Sequence, residues 1–503
     1  MMFTSLSRRA FLAHASSLAT LAAAAGSAGC RTTPPTALAP GTNELTALSA
    51  TAAVAAMRNG DITAEAYATA LLDRAERLRR LNAFRVMDRD AVLAAARAAD
   101  KARAAGVQAG LLHGLPIPVK DSVNTAAYTT SNGARALEHF RPKADAPVLG
   151  LLVAQGAYVM GKTNLHELSL GFTSTNPHFG AVRNPYNAEH VPGGSSGGSG
   201  AAVAARMAPL AIAEDTGGSI RCPAAWCGIS GLRPTYGRYP DASIMPLTQD
   251  KFDQVGAVAR RVEDLVLFDT VITGEASPVV AATLKGLRLG VPEQLMTNLT
   301  PQVERATAAA FARLEAEGVT MVRIDMPEIL QAGDIGFAII LYEWIPAVTQ
   351  FLEGEGTGLT FDQLLAASSD EIKQLPVIPR EAYEGALQAR AGVQARVGAR
   401  FAEHRITALA YPALFEAAPK IGDMADVTWA GQPVTRTIAL ARSTLLAPCC
   451  AHPGLVVPAG LGDTGLPIGL EFDGPAGTDR QLLGLGLAVE RLLGPMPEPN
   501  VNG

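Results

Sequence analysis

The 503-residue chain carries 42 Lys and Arg against 47 Asp and Glu, a formal charge of −5, with 48% hydrophobic and only 18% charged residues. That balance excludes a disordered chain and a strong phosphate-binding footprint, and so a nucleic-acid partner. The length suits about three ordinary domains or one large α/β domain, and 49 glycines with 33 prolines imply many tight turns, so the chemistry is expected on loops.

Residues 1–30 differ from the rest. Ser7-Arg8-Arg9-Ala10-Phe11-Leu12 opens a weakly apolar run through Leu18, Leu21 and Ala25 that resembles a twin-arginine export signal. The run is shorter than the ~20 residues of a membrane-spanning helix. It closes on Ser27-Ala28-Gly29-Cys30, similar to a lipoprotein cleavage box except that Ser27 stands where Leu is usual. Lipid attachment at Cys30 and ordinary cleavage nearby both stay open; either implies an exported protein, periplasmic or lipid-anchored at the cell envelope. Residues 31–47, with Thr32, Pro34, Pro35 and Pro40, read as a flexible tether.

Thr63 caps a predicted helix with Tyr67, Leu71, Ala75 and Leu78 at helical spacing, and 91–105 predicts a second, closed by Gly106. From Leu115 the pattern changes to short β-like runs at 117–119, 158–160, 210–213 and 229–232, separated by helices and glycine turns, which is α/β patterning. Residues 287–291, 303–317 and 319–324 predict a βαβ unit, so the sheet is at least partly parallel. Over 326–404 strand signals give way to helical sequence bearing Tyr342, Trp344 and Phe351, a helical insertion. Strands at 455–457 and 467–472 precede a final helix over 479–493. Cys222, Cys227, Cys449 and Cys450 imply no disulfide framework; the first two sit in small, apolar sequence and are expected as buried filler.

Two familiar motifs fail on context. Gly156, Gly161, Lys162 and Thr163 fit a phosphate loop, but that loop needs a strand before it and a helix after it, whereas here a helix precedes and the inner residues look like the strand. Gly193, Ser195 and Gly197 fit a nucleophile elbow, yet no strand leads into them. No histidines or cysteines stand at zinc spacing; His166 beside Glu167 reads as polar packing, and neither a metal nor a cofactor is expected.

The informative segment is 193–237. Gly193-Gly194-Ser195-Ser196-Gly197-Gly198 would on composition be a linker, but small helix formers over 201–208, the apolar 210–213, a second turn Asp215-Thr216-Gly217-Gly218-Ser219 and a short helix from Ile220 follow it. Gly217 and Gly218 let backbone N–H groups converge before Ser219, as a developing oxyanion requires, which makes Ser219 a candidate nucleophile. A serine needs a base. No histidine lies in this stretch, whereas Lys120 closes the strand-like 115–119 run, where desolvation would leave it neutral.

These residues resemble the amidase signature family: Gly-Gly-Ser-Ser-Gly-Gly, then Asp-Thr-Gly-Gly-Ser-Ile-Arg, with Gly-Leu-Pro-Ile-Pro-Val-Lys-Asp upstream. Ser219 follows Ser195 by 24 positions and Lys120 precedes Ser195 by 75, as in the family. The likeness runs from Leu48 to Leu493 and marks 48–495 as one domain. It implies an α/β/α sandwich around a large mixed sheet, with Ser219 as acylated nucleophile, Ser195 as bridging serine on a cis peptide and Lys120 as terminal base. It also implies an oxyanion hole from the N–H groups of Thr216, Gly217, Gly218 and Ser219, braced by Ser196, Asp215 and Arg221. Two departures stand out: Glu214, where many members have Thr or another small residue, and 447–454 in place of an Asn-containing approach to the late strand. The stretches 176–180 and 184–187 look closest to amidases of arylacetamides such as indoleacetamide and mandelamide, and Tyr342, Trp344 and Trp429 are expected as candidate walls of an aromatic pocket. The implied activity is hydrolysis of small amides with an aryl or apolar acyl part. Related carbamates, esters or anilides, and an amidotransferase-type glutamine amidase subunit, are the alternatives, and a homodimer stays open.

Overall fold

The computed structural model describes residues 42–501 apart from 250, 251, 424 and 430. Residues 1–30, expected as an export signal with Cys30, and residues 31–41 of the expected tether lie outside the described residues. Within the span 31–47 expected as a tether, Thr42–Ala47 is instead a helix that buries the apolar Leu45. The domain also extends past 495: Glu498 meets Arg74 at 2.7 Å and Arg206 at 2.8 Å, and Val501 is buried.

Among the described residues eleven strands make one mixed sheet. They are β1 (Phe84–Val86), β2 (Pro116–Lys120), β3 (Tyr158–Thr163), β4 (Leu210–Asp215), β5 (Ser230–Arg233), β6 (Gln254–Ala259), β7 (Arg288–Pro292), β8 (Thr320–Ile324), β9 (Ala408–Pro412), β10 (Gly454–Leu461) and β11 (Pro467–Asp473). Their order across the sheet is β1-β3-β2-β4-β6-β5-β10-β11-β9-β7-β8. β2 runs parallel to β3 and β4, and β7 parallel to β8 and β9, while the remaining pairs are antiparallel. The helices that cover it include α1 (Ala64–Arg77), α2 (Arg89–Ala104), α3 (Gly197–Ala204), α4 (Arg221–Cys227), α5 (Pro301–Ala316), α6 (Glu328–Gly354), α7 (Arg380–His404), α8 (Arg436–Thr444) and α9 (Asp479–Leu493).

Strand periodicity builds two cores, since successive side chains point to opposite faces. Leu210 and Ile212 of β4 join the cluster that holds Tyr67 and Leu71 of α1, Phe311 of α5 and Leu482 and Leu485 of α9. Ala211 and Ala213 of the same strand join Val203 of α3 and Ile220 and Ala224 around α4. Farther along, Leu409 and Tyr411 of β9 meet Ile335 and Ile339 of α6 and Val393 and Val397 of α7. The sheet therefore lies between helical layers.

Local signals set most boundaries. Thr63 caps α1, accepting from Ala66 N–H at 3.0 Å. α2 starts before the expected 91 because Asp88 caps it, accepting from Ala91 N–H at 3.0 Å. The βαβ unit is present as β7-α5-β8, with Thr320 opposite Arg288 through to Ile324 opposite Pro292. α6, α7 and two short helices between them make up the helical insertion. The helix expected over 201–208 begins instead at Gly197, so the glycine run is its first turn.

Close packing explains that shift. A Cβ on Gly198 would stand 2.3 Å from the Asn164 carbonyl and 2.4 Å from that of Ala83, so α3 rests directly on backbone. Gly198→Ala is expected to lower unfolding free energy by about 1–3 kcal/mol through overpacking against groups that cannot move; chemical denaturation of the variant checks this.

Candidate active site

Ile117 and Val119 of β2 point into the first core, so Lys120 points to the opposite face, where α3 and α4 begin. It is fully buried. Its Nζ lies 2.6 Å from Ser195 Oγ and 2.9 Å from Glu214 Oε1. Burial lowers the Lys120 pKa; Glu214 opposes that without reversing it.

Ser195 follows a cis Gly194–Ser195 peptide bond, in agreement with the expectation. The loop is pinned from several sides. Ser174 Oγ bonds the carbonyls of Gly193 at 2.9 Å and Ser195 at 3.0 Å, and accepts from Gly197 N–H at 3.0 Å. Ser196 ties two loops together: its Oγ donates to the Glu214 carbonyl at 3.1 Å and its N–H donates to the Ser219 carbonyl at 3.3 Å. Sequence reasoning did not single out Ser174, which stands outside both glycine turns.

Asp215 organises the second turn. Its Oδ1 accepts from Gly218 N–H at 2.8 Å and from Arg221 at 3.0 Å; its Oδ2 accepts from Ile220 N–H at 3.1 Å and from Arg221 Nε at 3.1 Å. Arg233, a partner the sequence did not mark, reaches Oδ1 at 3.2 Å. Burial alone would raise this carboxyl, but Arg221 and then Arg233 outweigh it and hold the pKa well below the usual range. Arg221 also meets Glu471 at 2.6 Å.

One expected oxyanion donor is corrected by this network. The Gly218 N–H is committed to Asp215 at 2.8 Å. The turn is held from outside as well: Thr444 of α8 donates to the Gly217 carbonyl, and Thr216 Oγ1 bonds Asp253, whose carboxyl burial pushes up to about 6.

Ser219 is 7% exposed and opens into a cavity walled by Leu170, Phe172, Phe337, Ile340, Leu341 and Leu445. Tyr342, Trp344 and Trp429 do not line it, a correction to the expected aromatic wall. Tyr342 lies five residues beyond Phe337, roughly 140° around α6, and stacks on Tyr383 with ring centres 4.1 Å apart. Trp344 packs against Phe361 at 4.9 Å and Trp429 against Phe415 at 5.7 Å, both buried. The 447–454 stretch packs under α7, where the Cys449 carbonyl accepts from Arg390 and Gln394; only its neighbour Leu445 reaches the cavity.

The other motifs are structural. Lys162 is buried and donates to the Val123 carbonyl, to Thr125 at 2.9 Å and to Thr130 at 2.9 Å. His166 Nδ1 sits 3.2 Å from Thr173 Oγ1. Cys222, Cys227, Cys449 and Cys450 are free and buried.

A buried lysine on one serine, in a loop bonded through the Ser196 N–H to the carbonyl of a second serine that faces an apolar cavity, is equipment for covalent acyl transfer. Comparison with known proteins agrees with that class. The Amidase family model matches residues 66–483. Mandelamide hydrolase of Pseudomonas putida is 35% identical over 481 residues, 91% of this chain and 93% of that protein. Indoleacetamide hydrolase of Agrobacterium vitis is 35% identical over 457 residues, 88% and 97% of the two chains. The solved peptide amidase of Stenotrophomonas maltophilia superposes with a TM-score of 0.78 at 27% identity, covering 91% of this chain and 99% of its own. The chain belongs to the amidase family.

Asp215→Asn would leave two guanidiniums underpaired in the interior, and is expected to cost about 3–5 kcal/mol of stability. A carboxyl with a depressed folded-state pKa stabilises above its unfolded value of ~3.9 and loses that contribution as pH falls. Urea unfolding across pH 3–7 should therefore show a gap between wild type and variant that narrows on the acid side.

Proposed function

We propose that this amidase hydrolyses small neutral amides with an aryl or apolar acyl group, through an acyl-enzyme on Ser219. The observation that carries the reading is Lys120 Nζ at 2.6 Å from Ser195 Oγ, in a loop joined by backbone to Ser219. Neutral Lys120 takes the Ser195 proton while Ser195 takes that of Ser219, whose oxygen attacks the amide carbonyl. The Thr216, Gly217 and Ser219 N–H groups hold the oxyanion. Lys120 then returns the proton through Ser195 to the leaving nitrogen, the C–N bond breaks, and ammonia or an amine departs. Water attacks the acyl-enzyme by the same route, giving the acid and restoring Ser219.

The acyl preference follows from the cavity wall, which has Phe172 and Phe337 and no charged side chain. A zwitterionic glutamine would lose its hydration there without a partner, so the amidotransferase-type reading is the weaker one. Carbamates, esters and anilides of similar shape form the same acyl-enzyme. Arg8-Arg9 and the run ahead of Cys30 support export, to the periplasm or to a lipid anchor; mass analysis of the mature N-terminus distinguishes the two.

Release of amine and acid is to be measured on an arylacetamide, an aliphatic amide, an anilide, a carbamate and glutamine. The expected order places the arylacetamide first and glutamine last, with Ser219→Ala losing about 10⁴-fold or more in kcat; wild-type turnover in that variant would sink the mechanism. Phe337→Ala should lower kcat/KM for the arylacetamide roughly tenfold or more while a small aliphatic amide changes less, a contrast read from paired saturation curves.

A further inference from the structure

Glu214 is the feature that the relay just described leaves unused. It lies on β4, buried at 3% exposure, one residue before Asp215. Its Oε1 sits 2.9 Å from Lys120 Nζ and 2.6 Å from Ser169 Oγ, and Ser169 is in turn 3.0 Å from Asn132 Oδ1. The lysine is thus gripped between Ser195 on one side and a carboxylate on the other. The two neighbouring carboxylates at the end of β4 take different partners: Asp215 takes Arg221 and Arg233, and Glu214 takes Lys120 of β2.

We propose that Glu214 is a positioning residue of the relay: it aims Lys120 Nζ at Ser195 Oγ and sets the pH at which Lys120 gives up its proton and becomes the base. The inference rests on the proposed role of Lys120. Charge bookkeeping at the site supports it. The acidic groups that face Lys120 are Glu214, Asp215 and Asp253. Asp215 already has Arg221 and Arg233, and Asp253 is bonded by Thr216 and Thr248. Glu214 has no guanidinium, and Lys120 is its one ion-pair partner among the described residues. A carboxylate at that distance in a desolvated site favours the ammonium form, so it works against the burial that frees the amine. Glu214 also forms part of the wall of a second cavity, of about 460 Å³, together with Asp241, Asp253 and Glu355. Ser219 is not among the residues that wall it, whereas Ser169, the serine bonded to Glu214, lines the acyl cavity.

The sign of the effect is opposite to that of an ordinary damaged active site. Removing the carboxylate charge should let Lys120 become neutral at lower pH, so the acid limb of kcat/KM moves down by at least about one pH unit. At a fixed pH on that limb the variant would then retain roughly ten times more of its own plateau rate than wild type does. The test compares wild type, Glu214→Gln and Glu214→Thr by pH–rate profiles on an arylacetamide. In parallel, ¹³Cε-lysine NMR follows the titration of Lys120, assigned with Lys120→Met. Expected is a downward move of both the limb and the lysine titration in Gln and Thr alike, with a lower plateau kcat in Thr, which is too short to hold Nζ, partly rescued in Gln. Unmoved limbs and an unmoved lysine titration in folded variants overturn the proposal and leave the amidase reading standing. An enzyme without amide turnover overturns that reading, while the NMR titration still decides whether Glu214 controls Lys120.

Discussion

The geometry of this site depends on which hydrogen bonds one buried carboxylate accepts. Asp215 ends a central strand, and its two oxygens draw in the amides of Gly218 and Ile220, which turns the chain sharply at the residue between them, Ser219. The two arginines that neutralise it come from different elements, one opening α4 and one closing β5, so the turn is fastened both to the helix that follows and to the sheet. Charge-assisted bonds in a dry interior are strong when every member is satisfied and costly when one is missing. The proposed nucleophile is therefore placed by a network of fully buried side chains.

The second placing device is the absence of side chains. Gly193, Gly194, Gly197 and Gly198 each have another residue where a Cβ would go: Pro223, the Phe172–Thr173 backbone, Ser174 and the Asn164 carbonyl. Gly218 combines a φ of +128° with Thr444 at 2.9 Å from its would-be Cβ. A stretch whose composition suggests a flexible linker is consequently among the tightest parts of the molecule, and Ser195 inherits its position from that tightness. Packing at this density transmits small volume changes directly.

Much of this was legible beforehand. The βαβ unit, the helical insertion, the last helix and the Lys120, Ser195 and Ser219 positions all had local signals in periodicity, caps or motif spacing. β6 and β9 gave none: Gln254–Ala259 and Ala408–Pro412 are short and rich in Ala or interrupted by Gly, and Gly256 is required because the Leu232 carbonyl would lie 2.3 Å from its Cβ. Such contacts are set by neighbours far away in the chain. The same limit applies to the cavity wall. Aromatic residues in helical sequence name candidates, but only the rotation of α6 against the sheet decides that Phe337 reaches the cavity and Tyr342 does not. Arg233 and Ser174 escaped notice because each acts from outside the motif it supports.

Phe337, Ile340 and Leu341 belong to the long helix between β8 and β9, whereas Lys120, Ser195 and Ser219 all come from the first half of the chain. The part of the cavity wall that the insertion supplies and the proposed relay thus lie in separate stretches of the chain, although Leu170 and Phe172 add to that wall from the first half. A lineage can exchange the insertion's inward face, one helical turn at a time, and present the same Lys120, Ser195 and Ser219 arrangement with a differently shaped vestibule. In that sense the molecule resembles a fixed tool with an interchangeable jaw.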